Sequence, residues 1–251
     1  MKGLAFLFFA TALIYAMVGF GGGSTYTALL VLWGVPFAIL PLISLSCNIV
    51  VVTGGVWRFR AAQALPAKKL VWLLAGSVPA AWIGGQLPIG EFAFVLVLAV
   101  VLAIASGLML VRPVSTVESE TPWRRGTSMG VGAGLGAVAG VVGIGGGIIL
   151  APLLHLTGWD TPRRISGACS LFILVNSVSG LAGQIVKRGG GLAVADLLPY
   201  WPVLAAALIG GQIGSWIGSE RLPSRPVRIL TALVVLAASL RLFASALSGI
   251  S

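Results

Sequence analysis

Val18-Gly19-Phe20-Gly21-Gly22-Gly23 and Val142-Gly143-Ile144-Gly145-Gly146-Gly147 are near copies of one another, half a chain apart. Each is followed by a short apolar stretch that ends at Gly34 or Gly158. Further out the copying continues. Asn48 precedes Gly55 by the same interval as Asn176 precedes Gly183, and Ala81-Trp82-Ile83-Gly84 with Leu87-Pro88 resembles Ser215-Trp216-Ile217-Gly218 with Leu222-Pro223. Matches that recur in the same order mark an internal duplication, so the chain reads as two related halves.

The solvent of those halves follows from composition. Six acids and sixteen bases cannot cover 251 residues with a water-soluble surface, since soluble domains carry roughly a quarter charged residues and this chain carries 9%. Its mean hydropathy is +1.05, and apolar runs long enough to cross a hydrocarbon core recur throughout. The net charge of +10 lies in short clusters between apolar runs, which is how membrane proteins fix orientation, and not in a basic stripe interleaved with aromatics. Nucleic-acid binding is therefore not expected; the partners are the lipid bilayer and a small solute. Gly3–Val18 reads as a membrane segment and not a cleaved signal, because Ala10-Thr11-Ala12 comes too early to end an apolar region. Cys47 and Cys169 lie inside apolar segments without companion ligands, so buried, inert thiols are expected, with no metal and no cofactor.

The apolar segments of the first half are Gly3–Phe20 with its glycine break and the short piece Ser24–Trp33, then Ile39–Trp57, Leu70–Leu87 and Phe92–Val111. Those of the second are Thr127–Val142 with its break and Ile148–Thr157, then Ile165–Val186, Leu197–Gly218 and Val227–Leu247. Residues 1–111 and 127–251 are the two membrane repeats, joined by a polar linker, 112–126, which carries Glu118, Glu120, Arg124 and Arg125.

Charge decides how the repeats are related. If each broken segment crosses once, the repeats are parallel and ten bases face inward against five outward. If each broken segment dips in and returns as a hairpin, Arg58, Arg60, Lys68, Lys69, Arg112, Arg124, Arg125, Arg163, Arg164, Arg221, Arg225 and Arg228 all face the cytoplasm. Only Lys2, Lys187 and Arg188 then stay outside, with Arg241 near the end of the last helix, where it can snorkel. The positive-inside rule favours the second arrangement. The predicted fold is thus an all-α integral membrane protein of eight apolar segments in two inverted repeats, each a Gly-broken helical hairpin plus three transmembrane helices, with both termini outside.

Glycine costs about 1 kcal/mol relative to alanine in a helix, so a run of them interrupts a membrane segment. Interrupted backbone survives in a bilayer only inside protein or against a polar cavity. A short helix beginning at Ser24 or Ile148 would point its free N–H groups and positive dipole end into that cavity, which favours an anion. Broken helices that meet at the interface of inverted repeats are a recurrent way to build a transporter's substrate site. The scattered Gly132, Gly134, Gly136 and Gly140 read instead as helix-packing residues.

Asn48 and Asn176, at equivalent places in apolar helices, either glue helices together or donate to an anion. Ser24, Thr25 and Ser46 offer hydroxyls near the first break and Ser170 near the second; bonding to the helix's own carbonyls is the alternative for each. The candidate substrate-binding residues are therefore Gly21, Gly22, Gly23, Ser24, Thr25, Ser46 and Asn48 with Gly145, Gly146, Gly147, Ser170 and Asn176. Gln86 and Gln212 are weaker candidates for the interior, His155 reads as a polar anchor, and Trp57, Trp72, Trp123, Trp159 and Trp201 read as interfacial anchors.

The glycine run followed by an apolar stretch, Gly143–Pro152 with Pro152-Leu153-Leu154, resembles the TauE/SafE (TSUP) sulfite exporter family. Length, number of segments, duplication and basic central linker are similar to that family as well. The resemblance implies a permease of the bacterial cytoplasmic membrane for sulfite, organosulfonates and related sulfur-containing anions. The first half departs by carrying Ala28 where the second has Pro152, so its short helix could start or bend differently. With acids confined to loops and segment ends and no Walker loop, a buried acidic proton relay and direct ATP drive are not expected. Catalysis is not expected either, for want of a clustered acid, base, nucleophile or metal set. A non-transporting membrane scaffold or assembly factor, with glycines used for packing alone, is the competing reading.

Overall fold

The structure, a computed structural model, describes residues 2–111, 123–189, 195–220 and positions 236, 239, 240 and 243. Glu118, Glu120, Arg221, Leu222, Pro223, Arg225, Arg228 and Arg241 lie outside the described residues. Regular structure among the described residues is entirely helical. The first half holds α1 (Lys2–Ala16), α2 (Gly23–Leu32), α3 (Leu40–Ala61), α4 (Ala67–Gln86) and α5 (Glu91–Val111). The second holds α6 (Arg125–Val142), α7 (Gly147–Leu156), α8 (Pro162–Lys187) and α9 (Trp201–Glu220).

Among the described residues three stretches are long and apolar enough to cross a membrane: Phe37–Ala61, Arg163–Lys187 and Ala195–Gly218. They contain α3, α8 and α9. Proline in the first turn starts α3 and α8, where its missing N–H breaks no bond. Arg58 and Arg60 in the last turn of α3 face the negative end of its dipole. Large apolar side chains point outward, among them Ile83, Phe92, Trp57 and Ile209, which suits a lipid surround and not water.

At about 1.5 Å per residue, α1 and α2 reach only about 22 and 15 Å, too short to cross a 30 Å core separately. They fold back on each other. A Cβ at Gly3 would lie 3.5 Å from the Trp33 ring at the far end of α2. Phe8 stacks on Tyr26 with ring centroids 4.5 Å apart, and the Tyr15 and Thr25 hydroxyls are hydrogen-bonded at 2.7 Å. At the equivalent turn of the second half, a Cβ at Gly146 would lie 3.3 Å from Ala139 Cβ and 3.4 Å from the Leu135 carbonyl.

Packing between the halves is reciprocal. Gly210 and Gly214 of α9 lie on the Phe9 and Leu13 carbonyls of α1, and Gly218 on that of Met17 just past its end, so these helices run parallel. Gly132, Gly136 and Gly140 of α6 lie on the Leu73, Ser77 and Ala81 carbonyls of α4, also parallel. The first helix of each half is thus held by a helix of the other, through small residues at i, i+4 spacing that let backbones approach. Gly134 has open space around it, so the packing role holds for three of that set of four. Between them α3 and α8 run antiparallel: Arg188 Nη1 donates to the Ala38 carbonyl at 2.8 Å, Gly180 faces Leu45, Gly55 faces Ser170, and Gly167 faces Phe59 and Ala64.

The bases divide between the two ends. Lys69 and Arg164 both pair with the buried Asp160, at 2.8 and 3.5 Å. Arg125 lies on the Trp72 ring at that end. At the opposite end Arg188 pairs with Asp196 at 2.6 Å, and Lys187 Nζ donates to the Leu87 carbonyl at 2.8 Å. Trp57, Trp72 and Trp201 are exposed as anchors should be, but Trp159 is buried, its ring 5.6 Å from Lys69 Nζ.

Candidate functional site

Both glycine runs break their segments. The short helices start at Gly23 and Gly147, one residue ahead of the expected Ser24 and Ile148, within the usual uncertainty of helix ends. Each is ten residues long, so Pro152 in place of Ala28 shifts neither start nor length. Their N-caps, Gly22 and Gly146, have φ of 87° and 75°, the left-handed region that costs other residues roughly 1–2 kcal/mol. Neither N-cap makes a side-chain capping hydrogen bond, so the first-turn amides and positive dipole end of each helix face the break without one.

The two breaks meet around one side chain. Asn48 of α3 has no solvent exposure, and the close approach of Gly21 and Gly23 to its amide leaves no room for a Cβ at either. From the other half, a Cβ at Gly145 would lie 2.9 Å from Asn48 Nδ2, and one at Gly23 would lie 2.9 Å from the Ile144 carbonyl. Among the described residues neither Nδ2 nor Oδ1 of Asn48 has a hydrogen-bond partner. An unmet buried polar group costs about 1–3 kcal/mol, and such groups are found where something else satisfies them.

Elsewhere the candidates sort by what they bond. Ser170 donates to the Gly19 carbonyl at 2.8 Å, so it ties the first break to the second half instead of to its own helix. Thr25 is engaged by Tyr15. Ser24 and Ser46 are buried beside the break and along α3. The Gly23 carbonyl accepts from Thr27 Oγ1 at 2.9 Å and from Ser44 Oγ at 2.7 Å, which fixes α2 on α3. Asn176 donates Nδ2 to the Phe172 carbonyl of its own helix at 2.8 Å and leaves Oδ1 unmet. Gln86 likewise bonds its own helix, at the Trp82 carbonyl, whereas Gln212 donates to the Val50 carbonyl between α9 and α3.

Two residues at the breaks were not singled out by the sequence. Ser177 Oγ, buried and unpartnered, would be 2.9 Å from a Cβ at Gly145. It takes the place beside the second break that the duplication assigned to Asn176. Tyr26 carries an unpartnered buried hydroxyl 3.0 Å from the Cβ position of Gly22. The site thus presents uncharged donors, an amide and two hydroxyls, beside two helix N-termini. Among the described residues no group of three His, Cys, Asp or Glu side chains is placed to hold a metal ion.

Apolar spanning helices, two glycine-broken segments and a buried polar junction between them mark a multi-pass helical membrane protein. The chain belongs to the family described as Sulfite exporter TauE/SafE, whose profile matches residues 4–242. It is 30% identical over 247 residues to the "Probable membrane transporter protein y4hK" of Sinorhizobium fredii, covering 96% of this chain and 97% of that protein. No solved structure matches it. The protein is a membrane transporter by family.

Proposed function

We propose that this protein is a secondary transporter, a permease that moves small sulfur-containing anions such as sulfite or organosulfonates across the bacterial cytoplasmic membrane. The observation that carries the reading is the Asn48 amide, fully buried, unpartnered and flanked by both glycine breaks. Helix N-termini and neutral N–H and O–H donors suit a small oxyanion, which accepts several hydrogen bonds without a fixed counter-charge. Membership of a family described as sulfite exporters supports sulfite as the first solute to test.

The halves act as inverted repeats in this reading. Support comes from the antiparallel α3 and α8, the parallel cross-pairs α1 with α9 and α4 with α6, and the division of bases between two ends. Transport is alternating access, one half rocking against the other about the glycine breaks. Links between halves close each end: Lys69 to Asp160 on one side, Arg188 to Ala38 and Lys187 to Leu87 on the other. Substrate binds at Gly21, Gly22, Gly23, Ser24, Thr25, Ser46 and Asn48 with Gly145, Gly146, Gly147, Ser170 and Asn176, joined by Tyr26 and Ser177.

The test is uptake of labelled sulfite and of an alkylsulfonate into proteoliposomes. Saturable flux is expected, lost in Gly22→Leu and Gly146→Leu. Flux unchanged by both substitutions, in folded protein, removes the breaks from the mechanism.

A further inference from the structure

The face of α3 roughly opposite Asn48 lines a second feature that the transport site does not use. Between α3 and α9 runs a groove of about 510 Å³ whose lining includes Ile49, Val50, Trp57, Arg58, Leu208 and Gln212. None of the glycine-break residues contributes to it. Between α8 and α4, the pair whose members occupy the equivalent places in the opposite halves, glycines close the space: Gly85 lies on the Gly180 carbonyl and Gly183 on that of Trp82. In the α3–α9 pair Gln212 is wedged against Gly54, so these two helices are held apart where α8 and α4 close up.

Its chemistry is graded along its length. Ile49 and Leu208 make the deep end apolar, and Arg58 stands at the other, three residues before the end of α3. Arg58 Nη1 donates to Gln212 Oε1 at 3.1 Å and to Ser215 Oγ. Both acceptors are neutral, and no described carboxylate pairs with this guanidinium, unlike Lys69, Arg164 and Arg188. Trp57 beside it is 75% exposed, as an interfacial tryptophan is. From Ile49 to Arg58 the helix rises about 14 Å. Half of a hydrocarbon core is about 15 Å, so the groove is one leaflet deep with its charge at headgroup level.

We propose that this groove is a binding site for one anionic phospholipid, its acyl chain along Ile49, Val50 and Leu208 and its phosphate on Arg58. A basic pocket between transmembrane helices at the headgroup level recognises such lipids by charge, while the groove selects a chain over a soluble anion.

The full-length protein, delipidated in neutral detergent, is titrated with phosphatidylglycerol or phosphatidylcholine and adducts are counted by native mass spectrometry. One saturable phosphatidylglycerol is expected, with affinity at least about tenfold above phosphatidylcholine, as loss of a charge-assisted contact implies. Arg58→Gln and Leu208→Trp each weaken it by about tenfold or more, and Arg58→Lys by no more than about threefold. Leu208→Trp fills the groove with the Arg58 bonds intact, so it decides the matter if Arg58→Gln fails to fold. Equal binding of the two lipids overturns the proposal, as does unchanged phosphatidylglycerol binding in Leu208→Trp. Displacement of the lipid by millimolar inorganic phosphate also overturns it, by assigning Arg58 to a soluble anion.

Discussion

Replacing Asn48 with alanine separates a substrate ligand from a structural glue. The amide makes no hydrogen bond among the described residues, so Asn48→Ala removes none of theirs. Two unmet polar atoms, each costing about 1–3 kcal/mol when dry, disappear with it. Against that stands the cavity left by the amide, whose cost is of the same order for a small side chain. The net change in stability is expected within about 1–2 kcal/mol of zero. Substrate loses far more. A hydrogen bond to a charged group is worth about 1.5–3 kcal/mol, which corresponds to roughly 10- to 150-fold in affinity. Thermal unfolding in detergent and concentration-dependent sulfite uptake in proteoliposomes measure the two quantities on one preparation. Asn176→Ala is the internal comparison, because its amide is already bonded to Phe172 and its effect on uptake is expected to be smaller. An Asn48→Ala protein that loses several kcal/mol of stability yet transports at the wild-type rate and half-saturation refutes the assignment.

Gly23→Ala should abolish uptake, since a Cβ there runs into the Asn48 amide and the Ile144 carbonyl, while Gly134→Ala, with open space around it, should stabilise by up to about 1 kcal/mol; uptake and thermal midpoints decide both. Asp160→Asn removes the link from Lys69 and Arg164 and should open that end, read as faster labelling of a Ser177→Cys reporter by an impermeant maleimide from the Lys69 side; unchanged labelling rejects a closing role. For the topology, an alkaline phosphatase fusion after residue 118 should be inactive and one after residue 192 active, and a C-terminal reporter active only in the cytoplasm would sink the inverted arrangement.

How much of this was legible depended on which residues have few alternatives. The glycine runs were legible because positive φ at Gly19 and Gly143, and again at Gly22 and Gly146, admits almost no other residue. Charge was legible in part because bases cannot sit in hydrocarbon: Lys69 and Arg164 gather at one end of the helices and Lys187 and Arg188 at the other. Register was not. Ser177 faces the second break and Asn176 turns back on Phe172, a one-residue rotation of about 100° that the duplicated asparagines could not reveal. Helix pairing was hidden for a different reason. Segments apolar on every side show no buried face by periodicity, and only the four-residue spacing of Gly210, Gly214 and Gly218 hinted that α9 lies on α1.

That cross-pairing reaches into how the molecule is made. The surface on which α1 settles belongs to α9, about 200 residues later in synthesis, which at roughly 5–20 residues per second is a wait of about 10–40 s. Through that interval the nascent chain carries Phe9, Leu13 and Met17 carbonyls with no Gly210, Gly214 or Gly218 to cover them. Neither half is a finished module when it leaves the insertion machinery. A helix made late covers one made early, and the cross-packing ties the two into a single unit of assembly.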